Sequence, residues 1–314
     1  MTRPRRYTSW SMNQPTSTLP QGTGFGATMR KDNWWIGPIG IATLLLSFLV
    51  YSTWAAFQGA YYWVPGTNYL SPFYSPEFWG NSPHAIIKGE PSFWQSWMPP
   101  FSAALLILGF PAGFRLTCYY YRKAYYRSIW LDPVACAVGE PRKSYIGENA
   151  LPLILWNLHR YFLYAAIVFV FLLAYDGIIA HIFPMNADGT VFMNVPFLAD
   201  GTKNAAFDAA QATAPHHHVF GMSLVSLILI LNPLLLAGYT FGCHSLRHIV
   251  GGRKDCFAGG DGCGTGLHFG AWSFVSMLNR HHALFAMTSL VVVGLADVVV
   301  RLVAMGKISD FRFF

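Results

Sequence analysis

The sequence predicts an all-α integral membrane protein, with five transmembrane helices in one bundle, the N-terminus cytoplasmic and the C-terminus outside. Three observations predict it. Of 314 residues, 54% are hydrophobic and only 11% charged, whereas a soluble domain is nearer about a quarter charged. Five segments reach the roughly 20 mainly apolar residues needed to cross hydrocarbon. Lys and Arg alternate between the connecting segments as the positive-inside rule requires.

The expected spans run from Trp35 to Phe57, Phe101 to Tyr121, His159 to Phe183, Val219 to Cys243 and Ala283 to Ala304. The first lies too far from the N-terminus for a cleaved signal, and no small-residue cleavage site precedes it. No solenoid-type repeat is present. The chain divides into a cytoplasmic segment (1–34), the transmembrane domain (35–305) and an outer tail (306–314).

Orientation follows the basic residues. The N-terminal segment holds Arg3, Arg5, Arg6, Arg30 and Lys31, and the first loop only Lys88. The second loop holds Arg122, Lys123, Arg127, Arg142 and Lys143, the third only Lys203, and the fourth Arg247, Arg253, Lys254 and Arg280. Lys307 and Arg312 in the tail dissent and are outvoted. The net charge of +7 thus belongs to the inner membrane face, and no nucleic-acid partner is implied. The outer loop 58–99 carries Tyr61, Tyr62, Trp63, Trp79, Trp94 and Trp97 and reads as an ordered interfacial lid. Residues 184–215 are blander. The inner loops 122–157 and 244–280 are basic and long enough to meet a partner.

The chemistry lies at segment ends. The five cysteines form no secreted disulfide framework. With this orientation Cys118, His159, the pair Cys243-His244 and the pair His281-His282 all fall on the cytoplasmic side, within a turn or two in depth. Cys118, His159, Cys243 and His282 give one soft ligand from each of four helices. Two Cys with two His is the ligand count of a Rieske-type [2Fe–2S] centre and equally of a structural zinc site. His281 and His282 are about 100° apart on a helix, so both cannot face one centre, and His281 reads as water-facing. His244 and His248 share a face and are reserve ligands or quinone contacts. Taken alone, Cys118 is an ordinary small apolar residue, and Cys256 and Cys263 read as loop thiols.

Near the outer face, His181, His216, His217 and His218 offer two readings, axial haem ligands or exposed interfacial histidines, and the second is preferred. The first two spans contain no histidine, which weakens a two-haem arrangement. Two carboxylates lie within spans. Asp297 has Arg301 four residues on to neutralise it. Asp176 has no sequence partner and is the better proton-relay candidate.

The stretch Arg115-Leu-Thr-Cys118-Tyr-Tyr-Tyr-Arg-Lys-Ala-Tyr-Tyr-Arg127 resembles the membrane anchor subunit of an actinobacterial-type succinate dehydrogenase, a respiratory complex II. So do Asp132-Pro-Val-Ala-Cys136-Ala-Val, Asn157-Leu-His159-Arg-Tyr-Phe, Cys243-His244-Ser-Leu-Arg-His248 and Asn279-Arg-His-His282. The resemblance covers nearly all of residues 100–305. It implies a five-helix anchor in a bacterial plasma membrane, docking a flavoprotein and an iron–sulfur subunit on its cytoplasmic face, with a higher oligomer left open. It implies the branch that carries a Rieske-type [2Fe–2S] cluster in place of haem and passes electrons to quinone, expected to be menaquinone. The family pattern matches Cys118, His159, Cys243 and His282, with Cys136 as a reserve thiolate. At Arg280 and His281 the chain departs from that pattern, so His281 stays beside His282 as an alternative. Arg160, Tyr161, Arg247 and His248 are the candidate quinone contacts. A haem b anchor of the same class of complex and a non-redox, metal-stapled membrane protein are the alternative readings.

Overall fold

The computed structural model describes residues 24–80, 82–89, 102–141, 148–186, 196–207, 217–251 and 267–314. Helix α1 spans Ile36–Gln58 and stops at Gly59, whose φ of 62° is left-handed. Such a conformation closes a helix cheaply only in glycine. Helix α2 (Ala103–Thr117) starts at Ser102, whose side chain accepts the Ala104 N–H. It leads into α3 (Tyr119–Tyr125), which runs on as a π turn, Tyr126–Trp130. A 3₁₀ turn, Leu153–Leu158, leads into α4 (His159–Ile179). Helix α5 (Leu224–Phe241) opens on a capping box between Ser223 and Ser226, which satisfies two orphan N–H groups. Helices α6 (His244–Gly251), α7 (Leu267–Arg280) and α8 (His282–Ala304) complete the chain.

Among the described residues, α1, α4 with its lead-in, α5 and α8 are each long and apolar enough to cross a membrane. The second expected span, Phe101 to Tyr121, is a bent pair. Cys118 is extended (φ −63°, ψ 132°), and α2 and α3 meet there at 77°. At about 1.5 Å per residue α2 covers only about 22 Å, short of a bilayer core of about 30 Å. The expected span 101–121 is therefore a short helix that turns aside at the cysteine. Two further boundaries move. Residues 182–185 and 217–220 form an antiparallel hairpin of β3 and β4, with Ile182 opposite Phe220 and Met185 opposite His217. The apolar ends of the expected third and fourth spans are strand, not helix. The lid contributes a small parallel pair, β1 (Trp79–Gly80) and β2 (Ile87–Lys88).

Packing explains the bundle. Helix α4 lies against α2 and α5, α5 against α8, and α1 against α2 and α8. Small residues set the close approaches, as is usual where lipid removes the hydrophobic drive between helices. A Cβ at Gly177 of α4 would lie 3.0 Å from the Ile230 Cα, and one at Gly238 of α5 would lie 2.6 Å from the Phe285 ring. Apolar residues such as Val50, Phe171 and Leu234 stay exposed on the outside, where lipid rather than water covers them.

The two ends of the bundle differ. The segment 24–33 docks on the 131–141 loop, with Gly26 N–H donating to the Gly139 carbonyl at 3.0 Å and Gly139 N–H to that of Ala27 at 2.8 Å. The C-terminal tail docks at the opposite end, where Phe313 N–H donates to the Met222 carbonyl at 2.8 Å and Tyr69 donates to Asp310 at 2.6 Å. The lid sits at that same end. Tyr62 stacks on Tyr74 at 4.1 Å and donates to the buried Glu77 at 2.7 Å, while the Lys88 ammonium donates to the Ser82 and Pro83 carbonyls. Burial raises the Glu77 carboxyl above its ordinary range. Burial, with Lys88 nearby, lowers His84 to about 4. The expected order of the lid holds for these residues; Trp94 and Trp97 lie outside the described residues.

Candidate functional site

Four helix termini converge at the end opposite the lid. Cys118 caps α2, His159 begins α4, Cys243 lies between α5 and α6, and His282 begins α8. The His159 Nε2 lies 3.1 Å from the Cys243 Sγ. The Cys118 Sγ lies 3.6 Å from the His282 Nε2. Both thiols are buried, at 2% and 1% exposure. Among the described residues no three His, Cys, Asp or Glu side chains form a ready-made metal-holding group. The donors meet as two Cys–His pairs.

The imidazoles are held from behind. The Thr117 hydroxyl contacts His159 Nδ1 at 2.9 Å and the Gly113 carbonyl at 2.7 Å. A hydroxyl has one proton to give. It goes to the carbonyl, which can only accept, so the hydroxyl accepts from Nδ1–H. That tautomer leaves the Nε2 lone pair facing Cys243. A histidine oriented by its second nitrogen is the usual arrangement for a metal ligand. Phe114 stacks on His159 at 4.7 Å and 3°, and Tyr239 stacks on His282 at 4.9 Å and 21°. Below them Arg115 donates to Ser289 at 3.1 Å and to the Ala286 carbonyl at 3.2 Å, its guanidinium 5.1 Å from the centre of the Tyr239 ring. By donor type, two thiols and two imidazoles meeting as two pairs and ringed by aromatics are what a two-iron cluster or another thiophilic metal takes.

All four ligand candidates line one chamber open to the surface, together with Thr117, Tyr119, Arg122, Arg160, Tyr161, His244, Asn279 and Arg280. The other sequence candidates divide. His244, Arg160 and Tyr161 belong to the chamber. His248 lies on the exposed rim, 3.2 Å from the Arg160 guanidinium. Arg247 is drawn away: its Nε donates to Ser276 at 2.9 Å and its guanidinium lies over Trp272, so it braces α6 on α7. His281 is exposed and absent from the lining. The reserve thiolate Cys136 is exposed in the 131–141 loop, its carbonyl accepting from Arg30 at 3.0 Å, and it does not line the chamber. Cys256, Cys263 and His216 lie outside the described residues.

At the lid end, Asp176 accepts from Ser75. Asp297 is fully buried, bound by Arg301 at 2.8 Å, by Tyr51 at 2.6 Å and by Ser71. Arg301 also donates to the Ala55 and Ala60 carbonyls. The expected Asp297–Arg301 pair is therefore structural. His181 is turned back onto its own helix, 2.8 Å from the Gly177 carbonyl, and His217 and His218 are exposed on β4.

Sequence reasoning missed Thr117, Phe114 and Tyr239. All three stood close to a candidate ligand: Thr117 one residue and Phe114 four before Cys118, and Tyr239 four before Cys243.

Residues 36–198 and 202–306 match the family described as actinobacterial succinate dehydrogenase subunit SdhC. The chain belongs to this family. The SdhC match agrees with a solved structure of the Mycobacterium smegmatis Sdh1 complex in the apo form. A chain of that structure is 38% identical, with a TM-score of 0.70 over 91% of this chain and 94% of that one. A comparison with curated protein sequences finds no match. This SdhC-family chain is a multi-pass membrane subunit of a succinate dehydrogenase complex.

Proposed function

We propose that the chain is the quinone-side anchor of its complex, and that Cys118, His159, Cys243 and His282 hold a Rieske-type [2Fe–2S] cluster. The observation that carries this reading is the pair of Cys–His contacts, 3.1 and 3.6 Å, made in one layer by four different helix ends. When bound, such a cluster supplies one-electron transfer at a potential raised by its two imidazoles.

The chain's own residues do the rest. Thr117 fixes the His159 tautomer, and Phe114 and Tyr239 hold the two rings in plane. Arg160 and Tyr161 offer donors to a quinone carbonyl at the chamber wall, with menaquinone the expected quinone. Arg122, Arg160 and Arg280 give the chamber a positive rim, suited by charge complementarity to a soluble iron–sulfur subunit that is itself joined to the flavoprotein. Arg122 is fixed there by Glu148 at 3.0 Å.

The test is the double variant His159→Ala/His282→Ala in the intact complex. Quinone reduction is abolished while dye-linked succinate oxidation by the soluble subunits persists. Unaltered quinone reduction would refute the ligand assignment.

A further inference from the structure

A second cavity lies inside the bundle and has no part in the site above. It is walled by five helices, through Ser52 of α1, Ile107 and Arg115 of α2, Leu173 of α4, Asn232 of α5 and Val293 of α8 among others, and its volume is about 100 Å³. A single water needs about 10–15 Å³ of such space, so the cavity has room for several.

Asn232 makes the cavity unusual. It is 1% exposed, and neither its amide oxygen nor its amide nitrogen meets a hydrogen-bond partner among the described residues. An unpaired buried polar atom costs about 1–3 kcal/mol, and hydrocarbon offers no relief. A leucine would fill the same volume without that penalty. Pro111 also lines the cavity and stands inside α2. Having no N–H, it leaves the Ile107 carbonyl without the donor an unbroken helix supplies. Ser52 adds a hydroxyl. The cavity therefore offers water the two to four polar partners that a buried water needs.

Its position gives that water a task. One end is Arg115, three residues from Cys118. The other end adjoins the buried Asp297 and the half-buried Asp176. Phe169, Leu173 and Asp176 fall at i, i+4 and i+7 on one face of α4, and the first two line the cavity. Pro72 and Phe73 line it as well, between Ser71, which donates to Asp297, and Ser75, which donates to Asp176. Asp297 is committed to Arg301, Tyr51 and Ser71. Among the described residues Asp176 has one side-chain donor, Ser75, on one of its two carboxylate oxygens.

We propose that this cavity is a water-filled proton passage from Asp176 towards the Cys/His layer, with Asn232 as the positioning residue that orders its water. The proposal rests on the quinone-reducing role above. Quinone takes up two electrons, which succinate oxidation supplies, and two protons. Each proton leaves the Asp176 carboxyl, moves through the water beside Asn232 and ends on a quinone oxygen, and Asp176 is reprotonated from the lid side. Arg115 orients the water at the inner end.

The experiment compares wild type, Asn232→Leu and Asn232→Ser in the intact complex reconstituted in liposomes. Asn232→Leu lowers quinone reduction markedly and raises its solvent deuterium isotope effect. Dye-linked succinate oxidation and the iron signal stay unchanged. Asn232→Ser, which keeps a polar group and frees space, retains a rate close to wild type. Cryo-electron microscopy of the wild type shows water density beside the Asn232 amide. Undiminished quinone reduction in Asn232→Leu, a dry cavity in a map that resolves other waters, or quinone density within the cavity would each overturn the passage. Absence of an iron signal from the wild type instead overturns the cluster, leaving the map and the isotope effect to judge the passage.

Discussion

His159 Nε2 faces the Cys243 Sγ across 3.1 Å, tying the first residue of α4 to the end of α5. The contact exists because Thr117 takes up the other ring nitrogen. Thr117→Val removes that acceptor while keeping the side chain's shape. Loss of an outer partner of a ligating histidine typically costs about 10–100-fold in metal affinity or activity. Quinone reduction should fall within that range and the reduction potential of the bound centre should shift, with Thr117→Ser restoring both. A redox titration followed by EPR reads the potential directly.

The Asp297–Arg301 pair is an anchor for the lid end. Removing one partner of a buried ion pair strands the other, at about 3–5 kcal/mol. Arg301→Met should therefore lower the melting temperature of the detergent-solubilised complex markedly. Asp297→Asn/Arg301→Met, which removes both charges, should recover much of the loss. Thermal melts of the three variants decide it.

The α4–α5 and α5–α8 seams depend on missing side chains. A Cβ at Gly238 meets the Phe285 ring at 2.6 Å, and one at Gly177 meets the α5 backbone at 3.0 Å. A flexible ring can yield and a backbone cannot. Gly177→Val should destabilise the anchor by about 1–3 kcal/mol, and more than Gly238→Ala does. Protease resistance of the membrane subunit measures the order.

The lid is pH-sensitive through His84, which burial holds near 4, below the ordinary histidine value of 6.5. A depressed histidine contributes stability that is present above pH 6.5 and lost as pH falls towards 4, because the opened lid takes up a proton that the closed lid refuses. The shift sets a ceiling of about 3 kcal/mol. Glu77 acts in the opposite sense. Its raised carboxyl favours the closed lid at low pH, and that contribution is lost as pH rises from the ordinary carboxylate range through the raised value. In hydrogen exchange of residues 62–89, corrected for the intrinsic rate, acidification from pH 7 to pH 4.5 should leave these residues less protected in the wild type than in His84→Gln, each compared with itself at pH 7.

Much of this was legible in the sequence because membrane physics writes it in long, simple patterns. Apolar runs gave α1, α4, α5 and α8 to within a few residues. Cys118, His159, Cys243 and His282 stand out because such residues are costly at membrane depth. Other features had no such pattern. The bend at Cys118 is a backbone choice that apolar composition does not record. The strands at 182–185 and 217–220 are as apolar as helix ends and differ from them only in pairing with each other. Tyr51 and Ser71 reach Asp297 from more than 200 residues away, so only the i,i+4 partner Arg301 was visible. Asn232 drew no notice in a run of Leu and Ile, since its meaning comes from what four other helices fail to offer it.

The most direct test of the central claim is iron and acid-labile sulfide analysis of the purified intact complex, combined with low-temperature EPR. The account predicts two irons and two sulfides beyond those of the soluble subunits, and a Rieske-type signal that disappears in His159→Ala/His282→Ala. A complex active with quinone but holding no iron beyond its soluble subunits, or a haem spectrum in place of the EPR signal, would contradict it.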